Sequence, residues 1–490
     1  MMRVFSVILV QSFNSMLHGL VVMLRSPSPR PSPAERGCRA GRDSVLECGS
    51  LYRFGTLRKA AGTAALQDAP AAHRSRLAKR QHPDSFSLRE KVAVGRMRVN
   101  HRMVYRKGRC LIAGILTLAL VAALGQGRSQ AAGVDAAPAD AWPMYRGTAS
   151  LTGVSKSKLG TSLKLLWTFK AEEGIHSTAA IADGKVYVGC DDGHLYALDF
   201  KTGKKLWAFK TDDIVESSPL VHNGRVYFGS SDGFVYALTA KDGKLLWKFE
   251  TEDRVLGAPN LFQPSGAGTK PALIVGSYDF RLYSLDLDSG KSNWHYETSN
   301  YINGSPAVSS GRTAFGGCDA VLHVIQLAEG KKEKQIDAEA YIVGSAAVVD
   351  DMAYIGHYEN EFLCIDINAG KIAWKYKDRS FAYISSPAVT ADRVVVGCRD
   401  KRLHCLDRKS GKRLWAFRTR GSVDSSPVVA DGKVVVGSDD GSLYIVSLAD
   451  GKKLWSYDVG EPIIAAPALA NGTIIIGAED GRVHAFGPAQ

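Results

Sequence analysis

A segment of about forty residues recurs along the chain, and few architectures accommodate such a repeat. Residues 183–207, DGKVYVGCDDGHLYALDFKTGKKLW, return at 223–247 as NGRVYFGSSDGFVYALTAKDGKLLW and at 431–455 as DGKVVVGSDDGSLYIVSLADGKKLW. Within each copy, runs such as KVYVG and HLYALD alternate and are rich in β-branched and aromatic residues, the pattern of short strands. Asp183-Gly184, Asn223-Gly224, Asp431-Gly432 and Asn471-Gly472 precede the first of these runs, where a tight hairpin needs positive φ. Asp192-Gly193 and Thr202-Gly203 supply two further turns, after which LWAF forms a last strand. With a short SSPLV-type strand in front, one copy reads as a four-stranded antiparallel meander. Such a sheet cannot bury both faces alone, so the copies must stack face to face.

Tryptophans number the copies: Trp167, Trp207, Trp247, Trp294, Trp374, Trp415 and Trp455, with Lys334 in the missing place. The one long spacing, between Trp247 and Trp294, holds the insertion QPSGAGTKP. Seven copies are complete and an eighth, from Ala465 to Phe486, has three strands. The orphan strand LKLLWTFK, Leu163 to Lys170, has no copy in front of it. The expectation is an all-β, eight-bladed propeller over residues 163–490, in which that orphan completes the eighth sheet and removes the open edge.

The stretch ALDFKTGKKLW, with Ala197, Asp199, Thr202, Gly203 and Trp207, resembles the tryptophan-docking motif of the quinoprotein-type (PQQ-like) β-propellers. That family includes PQQ-dependent alcohol dehydrogenases and BamB-type outer-membrane assembly lipoproteins, and in size and pattern the chain is most similar to the latter. The resemblance runs from about Trp142 to the C-terminus and implies that the seven tryptophans are docking residues. The fourth copy, VIQLAEGKKEK, departs from the motif by losing its Asp, Thr and Trp, so its sheet is expected to dock less well.

The chain carries a net charge of +13, but the portion from Gly133 onward has 40 basic and 43 acidic residues, a net charge of −3. The propeller is therefore no general polyanion binder, and no nucleic acid partner is expected. Residues 1–96 combine an apolar opening, a Pro/Ser/Arg stretch and an Arg-rich remainder with little periodicity. They read either as an anchor and tether or as sequence upstream of a true start at Met97 or Met103, and the second is preferred because an export signal follows. In that signal, within 97–132, Arg106, Lys107 and Arg109 precede an apolar run from Cys110 to Leu124, and Ser129-Gln130-Ala131 offers a cleavage site. The run is short of the ~20 residues of a membrane helix, so no span is expected after removal. Cys110 opens the run instead of following it, which excludes a lipoprotein site and departs from the BamB-type lipoproteins. The expected product is soluble, periplasmic or extracellular, and monomeric. Residues 133–162, with Trp142-Pro143-Met144-Tyr145-Arg146-Gly147, read as a strap covering one face or edge of the ring.

Cys190, Cys318, Cys364, Cys398 and Cys405 are odd in number and none are adjacent. Cys190 and Cys398 replace serines of other copies, and Cys364 and Cys405 occupy the Ala197 place, so they read as small buried side chains. The vicinal cysteine pair of the quinoprotein alcohol dehydrogenases is missing. No zinc-type ligand spacing, nucleophile elbow or phosphate loop is present either, and no catalytic residue or metal ligand is assigned.

The loops that enter the central channel carry the remaining candidates. Two residues before each Ser-Pro pair stand His176, Glu216, Leu256, Asn303, Val343, Ile384, Asp424 and Ile464. Of these, Glu216, Asn303 and Asp424 could hold a cation, although polar residues at a wet funnel mouth need no ligand. Tyr301, Tyr341, Phe381 and Tyr383 gather on neighbouring loops, either as an exposed rim for a protein partner or packed under the loops. The preferred reading is a non-enzymatic exported scaffold that holds a protein on this loop face and takes no cofactor. The alternative is a PQQ-dependent dehydrogenase with PQQ and calcium, and a weaker one is a rim that binds polysaccharide or peptide.

Overall fold

The structure, a computed structural model, describes residues 134–264 and 270–488. The segments read above as upstream sequence and export signal, and the centre of the third-copy insertion, lie outside the described residues. Eight sheets are arranged as the repeats require, and the described residues contain no helix. Blades 1 to 7 span 180–210, 220–250, 260–297, 307–337, 347–376, 388–418 and 428–458. Blade 8 takes its three inner strands from 468–487 and its outermost strand from Lys164–Lys170, which pairs antiparallel with Arg482–Gly487. The orphan strand thus closes the ring between chain positions more than three hundred residues apart.

Burial follows position in the blade and not the alternation of the sequence. The second strand of blade 1, Lys185–Gly189, is buried on both faces because its blade is sandwiched between two others, whereas the outermost Lys205–Lys210 alternates between solvent and neighbour. Exposed leucines such as Leu206, Leu246, Leu414 and Leu454 recur on these outer strands.

Neighbouring blades are fastened at the outer edge by the tryptophans. The indole N–H of Trp167 donates to Phe200 O (3.0 Å), of Trp247 to Leu287 O (3.0 Å), of Trp294 to Leu327 O (3.2 Å), of Trp374 to Arg408 O (3.2 Å) and of Trp415 to Leu448 O (2.9 Å). Each ring covers the glycine of the next blade's turn, at Gly203, Gly290, Gly330, Gly411 and Gly451, and Trp207 covers Gly243 in the same way. The indole nitrogen of Trp207 finds no partner, and the Ala240 carbonyl near that turn accepts the Tyr187 hydroxyl instead (3.1 Å). Trp455 packs on Phe486 of the closing blade. Lys334 substitutes for the missing ring: its stem lies over Gly370 and its ammonium donates to Asn368 O. The fourth sheet is docked by an aliphatic stem and a charged donor in place of a ring.

Around the channel, serine and threonine hydroxyls accept backbone N–H groups from the preceding blade, as in Thr178 N to Ser218 Oγ (2.9 Å), Ser305 N to Ser345 Oγ (2.8 Å) and Ser386 N to Ser426 Oγ (2.9 Å). This girdle is the physical role of the recurrent Ser-Pro segments.

The strap does not lie over the loop face. It enters the channel at the far end of the inner strands and bonds to all eight blades. Trp142 pairs with Ile181, Val221 N–H donates to Pro143 O, and the Asn260 side chain donates to Ala149 O. Val308, Val348, Val389, Val429 and Asn471 then donate to Ala149, Ser150, Thr152, Gly153 and Ala139. Val154–Ser155 adds a short parallel strand to blade 7, which therefore has five strands instead of four. Arg146 is fully buried, and its guanidinium donates to the carbonyls of Pro387, Ser426 and Pro427. Burial lowers its pKa to about 10, but the group stays charged at neutral pH.

Candidate functional site at the channel mouth

The mouth is built by one device repeated eight times. In each blade the turn between the second and third strands sends a backbone N–H to the loop arriving from the blade before. The donors are Asp191, Ser231, Tyr278, Cys318, Tyr358, Arg399, Asp439 and Glu479; the acceptors run from Gly174 O and Ile214 O to Ser422 O and Pro462 O. The next loop residue is a buried anchor set against a backbone glycine: Ile175, Val215, Val255, Ile302, Ile342, Tyr383, Val423 or Ile463. A Cβ on Gly189 would come within 2.3 Å of Val215 O, so only glycine permits this approach. The residue after each anchor is half-buried in all eight blades, and these are His176, Glu216, Leu256, Asn303, Val343, Ile384, Asp424 and Ile464.

The aromatic candidates divide. Tyr341 and Phe381 are exposed, and Tyr301 is partly so, stacked on Tyr278 (4.8 Å) and beside Phe280 (5.2 Å). Tyr383 is corrected: it is 1% exposed and packs on Phe362 and His404, because it holds the anchor position and must fill the gap above Gly356. Phe280 and Tyr358, which the sequence reading passed over, are exposed and complete an aromatic arc across blades 3 to 6. The signal for Tyr358 was present, since it stands two residues after the glycine that closes each second strand.

The opposite arc, blades 6 to 8 and 1 to 2, is charged. Asp424 is held by Arg399 through three contacts of 2.9–3.2 Å. Glu216, Asn303 and Asp424 therefore do not form a common site: Asp424 pairs with Arg399, the Asn303 amide lies 2.9 Å from Cys318 Sγ, and Glu216 joins His176. His176 Nδ1 stands 2.8 Å from Asp191 Oδ2, and its Nε2 stands 3.9 Å from Glu479 Oε1. Burial works against the imidazolium, but Asp191 and Glu479, with Glu216 behind them, outweigh it and raise its pKa to about 10. Burial raises the Glu216 carboxyl to about 7 against the opposing charge of His176. Burial, with the charges of Asp424 and Glu479, likewise raises Asp439 to about 7. The turn residues Asp191, Asp439 and Glu479 were not among the sequence candidates.

A second cluster, Cys398, Asp400 and His404, lies wholly inside blade 6. His404 bridges Asp400 (3.1 Å) and the Tyr376 hydroxyl (3.1 Å). Tyr196, Tyr236, Tyr283 and Tyr444 make the equivalent bond to Asp192, Asp232, Asp279 and Asp440 in other blades, so this is a repeat-wide brace of the turn. Cys190, Cys364, Cys398 and Cys405 are free and buried, and burial pushes the Cys364 and Cys405 thiols up to about 12, away from the reactive thiolate.

The sequence matches the family described as outer membrane protein assembly factor BamB over residues 160–376 and 381–490. The chain belongs to this family. BamB from Moraxella catarrhalis superposes with a TM-score of 0.56 at 19% identity, over 67% of this chain and 98% of that one. The quinohemoprotein alcohol dehydrogenase of Comamonas testosteroni gives 0.59 at 16%, over 73% and 82%, and the computationally designed Ika8 protein gives 0.59 at 16%, over 66% and 100%. At these identities the likeness concerns the fold, which an assembly factor, a dehydrogenase and a designed protein share. No curated protein matches the sequence. Among the described residues no helix is long and apolar enough to cross a membrane.

Proposed function

We propose that this BamB-family propeller is a non-enzymatic scaffold that holds a polypeptide partner across its channel mouth, and that it is an exported, periplasmic assembly factor. The observation that carries the reading is the division of the mouth: exposed Phe280, Tyr341, Tyr358 and Phe381 on one arc, and the acidic Asp191, Glu216, Asp439 and Glu479 on the other. Exposed aromatic rings supply contact area at low entropic cost, and an acidic arc favours segments that carry Lys or Arg. The family supports the assembly role.

The test uses the purified protein, a labelled unstructured peptide rich in Lys and Phe, and PQQ with calcium. Micromolar peptide binding that falls at least tenfold in Tyr341→Ala/Phe381→Ala, with no calorimetric uptake of PQQ, is the expected result. Saturable PQQ binding accompanied by dye-linked alcohol oxidation would replace the scaffold with the dehydrogenase reading. N-terminal sequencing of the secreted protein tests export, with a new start near Ala131 expected.

A further inference from the structure

We infer that His176, Asp191 and Glu216 form a binding site for a divalent first-row transition-metal ion, of which Zn2+ is the probe. Once the ion has displaced the proton of the His176 imidazolium into solvent, the three side chains offer one ring nitrogen and two carboxylate oxygens, all within 4.8 Å of one another. Ligand atoms around a tetrahedral zinc ion lie about 3.3 Å apart, with metal–ligand distances of about 2.0–2.2 Å, so small side-chain rotations suffice to close the site. Two observations set this cluster apart from an ordinary ion pair. His176 Nδ1 is only 2.8 Å from Asp191 Oδ2, and Asp191 Oδ1 is shielded from solvent with no hydrogen-bond partner. A buried carboxylate oxygen without a donor is costly, and a cation would satisfy it.

The backbone presets the geometry. His176 and Glu216 follow the buried anchors Ile175 and Val215 on adjacent loops, and Asp191 sits between them, its N–H bonded to Gly174 O (3.0 Å). The same three positions in other blades serve as an internal comparison. One blade on they are Glu216, Ser231 and Leu256, and at blade 7 they are Asp424, Asp439 and Ile464, with Arg399 occupying Asp424. Only at blade 1 do an imidazole and two acids fall together.

The donor set also chooses among metals. Calcium seeks six to eight oxygens, whereas an imidazole with two carboxylates suits zinc, cobalt or manganese and leaves a fourth position open toward the channel. Glu479, 3.9 Å from the other ring nitrogen, is placed to orient the imidazole from behind.

The experiment is calorimetric titration of the chelator-stripped protein with Zn2+ and, separately, Ca2+. One Zn2+ per chain with micromolar or tighter affinity is expected, weakened at least tenfold in His176→Gln and in Glu216→Gln and unchanged in Glu461→Gln, an exposed acid on the loop that enters blade 8. Co2+ should give a visible absorption band that is lost in His176→Gln, while thermal melts confirm that the variants remain folded. No Zn2+ uptake, equal affinity in His176→Gln, or a preference for Ca2+ would overturn the assignment. Asp191 and Glu216 also belong to the acidic arc, but the peptide test reads Tyr341 and Phe381 in metal-free protein, so the two proposals fail separately.

Discussion

Gly411 and Gly432 hold nearly the same backbone angle, φ +68° and +71°, but meet different surroundings. A Cβ on Gly411 would lie 2.5 Å from the Trp374 ring, whereas one on Gly432 has nothing within 4 Å. Gly432→Ala should cost only the left-handed penalty of ~1 kcal/mol. Gly411→Ala should cost roughly 3 kcal/mol, since the indole must also leave its carbonyl. Urea denaturation of the two variants measures the docking contact by difference. Asp439 offers a titration test. Its folded pKa, raised to about 7, means that between about pH 4 and 7 the fold keeps a proton the unfolded chain has released. Stability therefore falls as pH rises through that window. Asp439→Asn should lessen the slope, to which Glu216 also contributes, matching the parent near pH 4 and exceeding it by on the order of 1–3 kcal/mol at pH 7.5 in paired denaturation curves. Neither the spacing of Asp439 nor its side-chain type signals this shift, because it arises from burial in the assembled mouth, with the charges of Asp424 on the preceding loop and Glu479 in the next blade.

At the scale of elements, the strap shows what a repeat pattern leaves out. Residues 134–160 are not a copy, so the periodicity that reveals every blade says only that they lie somewhere on the ring. Their path follows from unpaired groups: each inner strand exposes backbone donors to the channel, and the strap's carbonyls satisfy them in blades 1, 2 and 4 to 8. Arg146 then serves three carbonyls of blades 6 and 7 from a site without water access. Arg146→Met should destabilise the protein by about 2–4 kcal/mol, because those carbonyls lose a charged donor in a buried place. Arg146→Lys should recover only part of the loss, one ammonium being unable to span three acceptors in a plane. Melting temperatures of the three proteins give the comparison.

For the whole molecule, closure is the decisive event. Lys164–Lys170 joins the last blade to the first part of the ring, and its Trp167 then docks on blade 1. Deleting 164–170 should leave Arg482–Gly487 as an unpaired edge and open the seam between blades 8 and 1. Concentration-dependent association in light scattering, with a loss of thermal stability larger than that of any single variant above, is the expected outcome; a stable monomer would show that the strap alone holds the ring. The blade count, the strand order, the closing strand and the docking residues were legible in the sequence. Each depends on neighbours within about forty residues, or on a motif that repeats and so declares its partner. The mouth was only half legible. The residues after each anchor could be read by counting, but the sequence left Tyr383 open between rim and interior, and Asp191, Asp439 and Glu479 were missed. Their environment exists only when His176 is brought to Glu479 across the closed ring. The sequence by itself thus determined the ring, since local strand patterning and turn glycines dictate each blade. Only the tertiary structure decided which charges share a pocket and where the strap runs, because those contacts join residues hundreds of positions apart and depend on the angle at which the blades meet.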